Sequence, residues 1–411
     1  MFEIFNKGEQ RVPIKVWLPS REHLEEECLR QALNLSNLPF AFKHIALMPD
    51  THTGYGMPIG GVLATQDVII PNAVGVDIGC GMVFAHTNVK AELLREVATP
   101  GGTLARYLVG QIMRAVPQGF DHHKERQQSR FLDEYPVERL YRYGEAKLPK
   151  KEEAYMQLGT LGGGNHFIEL QEDEDGYLGL MVHTGSRNFG YKVASYFNQV
   201  AKDLNKRQGS PVPSHFDLAY LPVGSREGKG YIGWMTFALE FARHNRQRIM
   251  ERVQRIVADG LGRYAGVKEL KFLREVNAHH NYAAKETHFG RDVWVHRKGA
   301  ISARRGEPGI IPGAMGSYSF IVEGLGNPES FHSASHGAGR VMGRKEAVRR
   351  FSVEEVLADF AKKDMVLGKR RRSDTAEEYY RAYKDIEDVM ADQRDLVKPV
   401  LKLKTVAVVK G

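Results

Sequence analysis

Five short segments, scattered from residue 75 to residue 340, share one layout. A strand-like or turn-forming run is followed by polar, metal-capable residues set among glycines. The segments are GVDIGCG (75–81), GGGNHFIE (162–169), VHTGSR (182–187), NAHHN (277–281), which alone has no glycine, and SHGAGR (335–340). Glycine lets backbone approach a ligand closely and adopts positive φ, so glycine beside His, Asp and Cys reads as the wall of a site. Any one of these histidines alone reads equally well as a buried, satisfied side chain. Scattered core histidines have no reason to carry the same collar repeatedly.

Ligand types narrow the chemistry. Asp77 and Cys80 lie three apart, and His166, His183 and His280 come from three later segments. One thiolate, one carboxylate and three imidazoles suit a borderline transition metal such as Mn, Zn, Fe or Co. They do not suit Ca or Mg alone, which want mostly oxygen. Five ligands exceed the four of a closed structural site, which leaves room for two metals bridged by Cys80.

His336 stands apart. In SHGAGRVMGRK it is followed by Gly337 and Gly339, with Arg340 and Arg344 four and eight positions on. This imidazole reads either as another ligand or as a nucleophile for phosphorus. In the second case the arginines hold phosphate oxygens through charge-assisted hydrogen bonds. Arginines near a helix start are also ordinary on a surface. The chain has no G-x-x-x-x-G-K phosphate loop, and no dinucleotide fingerprint follows a strand. A nucleotide, if bound, is held another way. GIIPGAMGSYSFIVEG (309–324) offers a turn at Pro312 to Met315 and hydroxyls at Ser317 and Ser319, although in isolation it reads as a strand-connecting loop.

The pattern around these segments is mixed. Leu24, Cys28, Leu29, Ala32 and Leu33 predict a helix over 21–37, with Cys28 as a small buried hydrophobe. Residues 44–89 read as short strands joined by tight turns. Helices are predicted over 103–116, 190–206, 231–258, 353–363 and 376–392. The third of these turns Trp234, Phe237, Ala238, Phe241 and Ile249 toward a core. Strand-like segments fall near 272–276, 292–297, 308–311 and 319–323, and TVAVV precedes Lys410 and Gly411. Segments 118–153 and 206–229 read as surface excursions. No fixed-period repeat and no Ser/Pro/Gly linker divides the chain. The expectation is one compact α+β domain over 1–411, with mixed sheets flanked by helices.

Composition bounds the remainder. A chain of 411 residues, 42% hydrophobic and 26% charged, is globular and long enough for a large core. Its net charge of +8 is compatible with a polyanionic partner, but a solvated, mildly basic surface explains it more simply. Two cysteines cannot build a disulfide framework, which points to a reducing compartment. The amino terminus lacks a basic-then-apolar signal layout, and no apolar run nears the roughly 20 residues of a membrane span. A soluble, cytoplasmic protein is expected by elimination.

MPDTHTGYG, GVDIGCGM, LGGGNHFIE, HTGSRNFG, HHNY, RKGAISA, GIIPGAMGSYSFIV, GLGNPESFHSASHGAGR, AYKDI and the terminal VVKG stand in this order along the chain. From about residue 12 to Gly411 the sequence resembles the RtcB family of RNA ligases. The resemblance implies two Mn²⁺ sites, one using Cys80, His183 and His280, the other Asp77, the shared Cys80 and His166. It implies that His336 is guanylylated. GTP would be met by Asn165, His166, Phe167, Ile168, Glu169, His280, Asn281, Pro312, Gly313, Ala314, Met315, Ser319, His336, Gly337, Ala338, Gly339 and Lys410. Arg187, Lys298, Arg340 and Arg344 sit where the family places phosphate-handling cations.

The implied reaction is the joining of an RNA 3′-phosphate, or a 2′,3′-cyclic phosphate, to a 5′-hydroxyl in RNA repair or tRNA splicing. His336 takes GMP from GTP, the RNA 3′-phosphate takes it from His336, and the 5′-hydroxyl displaces it. An archease-type activator is an implied partner, and a monomer is favoured. Segments 118–153 and 206–229 and the basic run 369–372 carry no family motif. His279, His288, His296 and His332 match no assigned role, and Asp50 and His52 are expected only in the site wall. Three rival readings stand beside this one: a paralogue capping 3′-phosphate ends of DNA or RNA or mending one damaged RNA, a non-catalytic RNA-binding protein, and a metallophosphoesterase with His336 as a ligand.

Overall fold

The computed structural model describes residues 1–143, 148–370 and 374–411. The strands that frame the site are β1 (Ala41–Tyr55), β2 (Met57–Thr65), β3 (Gly81–Lys90), β4 (Phe167–Asp173), β5 (Tyr177–Thr184), β6 (Phe272–His279), β7 (Asn281–His288), β8 (Arg291–Lys298), β9 (Pro308–Ile311), β10 (Tyr318–Gly324) and β11 (Val397–Lys410). Two helices matter most, α1 (Arg187–Gln208) and α2 (Arg226–Ala265). One sheet runs Phe2–Ile4, Ile14–Val16, β1, β2, β8, β7, and the other β6, β3, β5, β4, β11, β10, β9, with Val366–Gly368 beside β11. Ile14–Val16 is parallel to β1 and Val366–Gly368 to β11, whereas the strands at the centre of both sheets pair antiparallel. The fold is α+β with mixed sheets, as expected.

Register in the second sheet places the chemistry. His183 of β5 faces Met82 of β3 and Phe167 of β4, and Phe167 faces Lys410 of β11. One row further in, Met181, Glu169 and Val408 oppose one another. Side chains alternate across a strand, so His183, Phe167, Glu169 and Lys410 share one face and Ile168, Leu170 and Val182 the other. That second face packs on α2 through Ile249, Met250, Val253, Val257 and Leu261, and on the helix Leu104–Ala115. Burial of those aliphatic side chains, worth roughly 1.5–3 kcal/mol each, anchors the sheet and leaves its opposite face for polar work.

Helix α2 outruns the predicted 231–258 because its caps lie further out. The Ser225 side chain accepts from Gly228 N, and Gly266 ends the helix in the left-handed region at φ +66°. Trp234, Phe237, Ala238, Phe241 and Ile249 are all fully buried on it. Cys28 is a buried thiol on the helix Glu26–Ser36, its Sγ 3.3 Å from Thr51 Oγ1. Within 44–89, the glycines and prolines read as turns sit largely inside two long strands. β1 and β2 pair through register shifts between Leu47 and His52 and between His52 and Tyr55.

The helix expected over 376–392 is a correction. The chain makes 3₁₀ turns at Thr375–Glu378 and Tyr380–Ala382, then a helix only from Ile386 to Asp392. Backbone groups that a helix would consume go elsewhere: Ala382 O accepts from Val341 N, and Lys384 N donates to Gly339 O. Asp385 then caps the new helix by accepting from Glu387 N. Segment 118–153 crosses the surface but anchors Leu132, Val137 and Leu148 in a core with Phe189, Trp234 and Phe237. Across 206–229, α1 and α2 reach in from either side, and Val212, Leu218 and Leu221 are buried. No helix among the described residues is long and apolar enough to cross a membrane.

Candidate functional site

Four strand ends of the second sheet converge on one place. Cys80 precedes β3, His166 precedes β4, His183 lies at the end of β5, and His280 sits between β6 and β7. Cys80 Sγ lies 3.4 Å from His166 Nε2 and 3.3 Å from His183 Nε2, with the ligand atoms of all three within 4.8 Å of one another. Asp77 Oδ2 is 3.0 Å from His166 Nε2, and the His280 ring packs on His183 with centroids 5.2 Å apart. All five sequence-predicted residues are therefore neighbours, with His280 outside the tight trio. Gly185 explains one glycine of the collar, because a Cβ there would collide with the Asp77 carboxylate.

These residues fit a bound cation on three counts. His166 Nδ1 donates to Leu161 O and His183 Nδ1 to Asn165 O, each at 3.0 Å, which leaves the Nε2 lone pairs aimed at the thiol. Asp77 Oδ1 and His280 Nδ1 are buried without a hydrogen-bond partner. Burial, then neighbouring imidazoles, hold His183 and His280 well below the usual range, so they are neutral as ligands must be. Burial and the adjacent Asp77 push the Cys80 thiol up, a penalty that a cation would reverse. Burial also opposes ionisation of Asp77, but His166 and Arg187 outweigh it and hold the carboxyl below its ordinary value.

His336 lies beside this cluster, its ring 4.7 Å from that of His280. Asp50, fully buried on β1, accepts both from His336 Nδ1 at 2.7 Å and from the His336 backbone N–H at 3.1 Å. A carboxylate only accepts, so Nδ1 carries a proton, and in the neutral ring Nε2 presents the lone pair. Lys384 Nζ donates to Pro49 O and Thr51 O, each at 2.8 Å, and so steadies the strand on both sides of Asp50. Gly299, at φ +65°, brings β8 onto the same ring, where a Cβ would sit 2.9 Å from His336 Cε1. Asp50 had been read only as part of the wall. As the single carboxylate in the run Ala41–Tyr55 it carried the available signal.

A cavity of about 170 Å³ opens above His336. Of the predicted nucleotide contacts, Asn165, Phe167, Glu169, Pro312 to Met315, His336 to Gly339 and Lys410 line it, as do Arg340 and Arg344. Ile168 does not, because strand alternation turns it to the opposite, aliphatic face. Asn281 is spent on structure, donating to Asp77 O and accepting from Gly299 N. Ser319 braces the 312–315 turn by accepting from Gly313 N at 3.2 Å. Lys298 lies outside the cavity with Nζ on Tyr55 O and Asn72 O, and burial lowers it to about 7. His166 and His280 belong to the cluster below.

Two further polar lining residues, Glu378 and Tyr383, come from the segment whose sequence predicts a helix. Glu378 accepts from Arg344 Nε at 3.1 Å, from Arg340 Nη1 at 3.4 Å and from Tyr383 Oη, with Lys410 Nζ 3.8 Å away. Burial opposes its ionisation, but Lys410 and Arg344 hold its carboxyl below the usual range. Burial raises Glu169 to about 7, partly offset by Gln171 and Lys410. On the other side of Asp77 a wider trough is lined by Phe120, Tyr191, Arg187, Lys369, Arg370 and Lys410, among others. Arg187 enters it from a left-handed backbone, φ +60°, with Nε on Thr160 Oγ1. Lys369 pairs with Asp374 and Arg370 with Asp121, while Arg371 and Arg372 of the basic run lie outside the described residues.

Fold and site together define a class: a chain with a buried thiol–imidazole cluster beside a carboxylate-fixed histidine, under a cavity rimmed by cations. The family model described as tRNA-splicing ligase RtcB matches residues 31–411. The RNA-splicing ligase RtcB of Escherichia coli K12 is 40% identical over 413 residues, covering 98% of each chain. That of Mycobacterium tuberculosis H37Rv is 33% identical, covering 93% of this chain and all of its own. The tRNA-splicing ligase RtcB of Pyrobaculum aerophilum is 30% identical, covering 98% and 95%. The chain belongs to the RtcB family.

Proposed function

We propose that this protein, acting as one catalytic domain over residues 1–411, seals RNA 3′-phosphate or 2′,3′-cyclic phosphate ends to 5′-hydroxyl ends, with GTP as co-substrate. The observation that carries the reading is the Asp50–His336 pair facing the cavity beside the cysteine–histidine cluster. Held with Nδ1 protonated, His336 offers Nε2 to the α-phosphorus of GTP. The Nε2–P bond forms, pyrophosphate leaves, and Asp50 stabilises the charge that the ring acquires. A 2′,3′-cyclic end is first hydrolysed, water adding to phosphorus and the 2′-oxygen leaving as a hydroxyl; the RNA 3′-phosphate then takes the guanylate from Nε2, and the 5′-hydroxyl displaces GMP to form the phosphodiester.

Asp77, Cys80, His166, His183 and His280 would hold two Mn²⁺ ions, with Cys80 shared. Bound there, the ions neutralise phosphate charge and lower the pKa of an attacking group. Arg340, Arg344 and Lys410, gathered around Glu378, are poised for phosphate oxygens and stabilise charge building up during transfer. Phe167, Glu169 and the 312–315 turn shape the nucleoside pocket. Arg187 and the trough beyond Asp77 would receive the RNA end. RNA repair and tRNA splicing in the cytoplasm are the proposed setting, with an archease-type activator and a monomeric state as part of the same reading.

Incubation with α-labelled GTP and Mn²⁺ tests it. An acid-labile, base-stable label on the wild type, absent from His336→Ala, is expected, followed by sealing of RNA 3′-phosphate and 5′-hydroxyl ends. Absence of label on the wild type, or capping of DNA ends with no RNA sealing, overturns the proposal.

A further inference from the structure

Two polar side chains midway along α2, Asn245 and Arg246, have no exposure to solvent. They occupy core-facing positions, Asn245 four residues after Phe241 and four before Ile249, Arg246 four after Ala242 and four before Met250. Apolar residues would be the default there. Polar groups in such a place cost stability unless every donor is used.

Arg246 uses its donors on three separate segments. Nη1 donates to Gly79 O at 2.8 Å and to Thr184 O at 3.1 Å. Nε donates to Asn277 Oδ1 at 2.8 Å, and Nη2 to His279 Nδ1 at 3.0 Å. Gly79 precedes Cys80, Thr184 follows His183 and His279 precedes His280. Asn245 reaches the remaining segment. Its Oδ1 accepts from Gly159 N at 2.7 Å and Thr160 N at 3.2 Å, and its Nδ2 donates to Thr160 O at 3.1 Å and Gly185 O at 3.2 Å. The next carbonyl, Leu161 O, is the one that orients His166 through Nδ1.

We propose that Asn245 and Arg246 are the positioning residues of the metal centre, fixing the spacing of Cys80, His166, His183 and His280 before a cation arrives. This rests on reading the cluster as a metal site. No other side chain described above reaches the backbone next to so many of the clustered residues. The guanidinium suits the task because its rigid fork holds several acceptors in one plane, which a lysine ammonium cannot do. Among the described residues the hydrogen-bond partners of Arg246 include no carboxylate, so its work is to hold backbone and imidazole rather than to complete an ion pair.

Cobalt(II) titration of the chelator-stripped full chain tests this, followed by calorimetry and by the thiolate-to-cobalt absorption. Thermal melting of the stripped protein runs in parallel. Arg246→Lys keeps the charge and loses the fork, and is expected to weaken cobalt binding roughly tenfold to a hundredfold, as loss of groups that orient ligands does. A residue that merely stabilised the fold would lower the melting temperature and leave the affinity of the folded protein unchanged. Asn277→Ala, at a half-buried position, removes the Nε acceptor together with one long donor contact to Arg243 O, and serves if Arg246→Lys does not fold; a loss of roughly three- to tenfold is expected. Cobalt affinity within about twofold of wild type in whichever variants fold overturns the inference. Failure of the wild type to bind cobalt at all instead overturns the metal reading beneath it.

Discussion

Replacing Asp50 by asparagine changes charge and donor pattern at His336 with almost no change in volume. In the native site Asp50 Oδ2 accepts from Nδ1 at 2.7 Å and from the backbone N–H at 3.1 Å. A charge-assisted hydrogen bond of that kind contributes about 1.5–3 kcal/mol, or roughly 10- to 150-fold in rate if it is lost only in the transition state. Asparagine does more than weaken it. If its amide nitrogen turns to Nδ1, the ring must carry its proton on Nε2, and that tautomer cannot attack phosphorus. The equivalent reversal in a serine–histidine–aspartate triad costs about four orders of magnitude. Transfer of labelled GMP to Asp50→Asn should therefore fall by roughly 10²- to 10⁴-fold in single-turnover, acid-quenched time courses. GTP affinity by calorimetry should hold, since Asp50 does not line the cavity proposed for the nucleotide. Labelling within about threefold of wild type would refute the claim that this carboxylate sets the histidine's tautomer.

Three further outcomes are expected. Cys80→Ser should abolish the thiolate-to-cobalt absorption and Cys28→Ser should preserve it, because Cys28 meets Thr51 instead of the cluster; a band surviving in Cys80→Ser would exclude Cys80 as the thiolate ligand. Glu169 is held near 7 by burial against about 4.5 when unfolded, so between those values the native state keeps a proton that the unfolded chain has released. Stability should fall as pH rises through that window, by up to about 1.4 kcal/mol per unit, and Glu169→Gln should flatten the slope in urea unfolding of chelator-treated protein; an unchanged slope counts against the assignment. Gly185→Ala forces a methyl against the Asp77 carboxylate and should cost about 1–3 kcal/mol in the same unfolding measurement, with weaker cobalt binding; wild-type affinity in that variant would show that Asp77 is free to move.

Residues that meet the cluster directly were legible because they need glycine beside them, and glycine next to histidine is visible in a string of letters. Asp77, Cys80, His166 and His183 carried that mark, His280 in NAHHN did not, and the structure brings all five together. Residues acting from behind carried no such mark. Arg246 and Asn245 were hidden in a helix whose apolar stripe was read correctly, at the very positions where the stripe is interrupted. A polar residue four positions from two buried apolar ones was the signal. Glu378 and Tyr383 were obscured differently, since local propensity favoured helix and long-range pairing with residues 339–341 overrode it. Ile168 fell among the nucleotide contacts because motif membership does not say which way a side chain points, whereas the two-residue period of a strand does.

The row formed by His183, Phe167 and Lys410 has a consequence for how this enzyme can vary. Three strands deliver one residue each to the same line, so the frame of β4 is locked on both sides. Deleting a single residue from it would turn Ile168 and Leu170 toward the cavity and press the Glu169 carboxyl into the greasy layer under α2. Length changes in this stretch are tolerable only in pairs, or out in the turn at 174–176 where no register is kept.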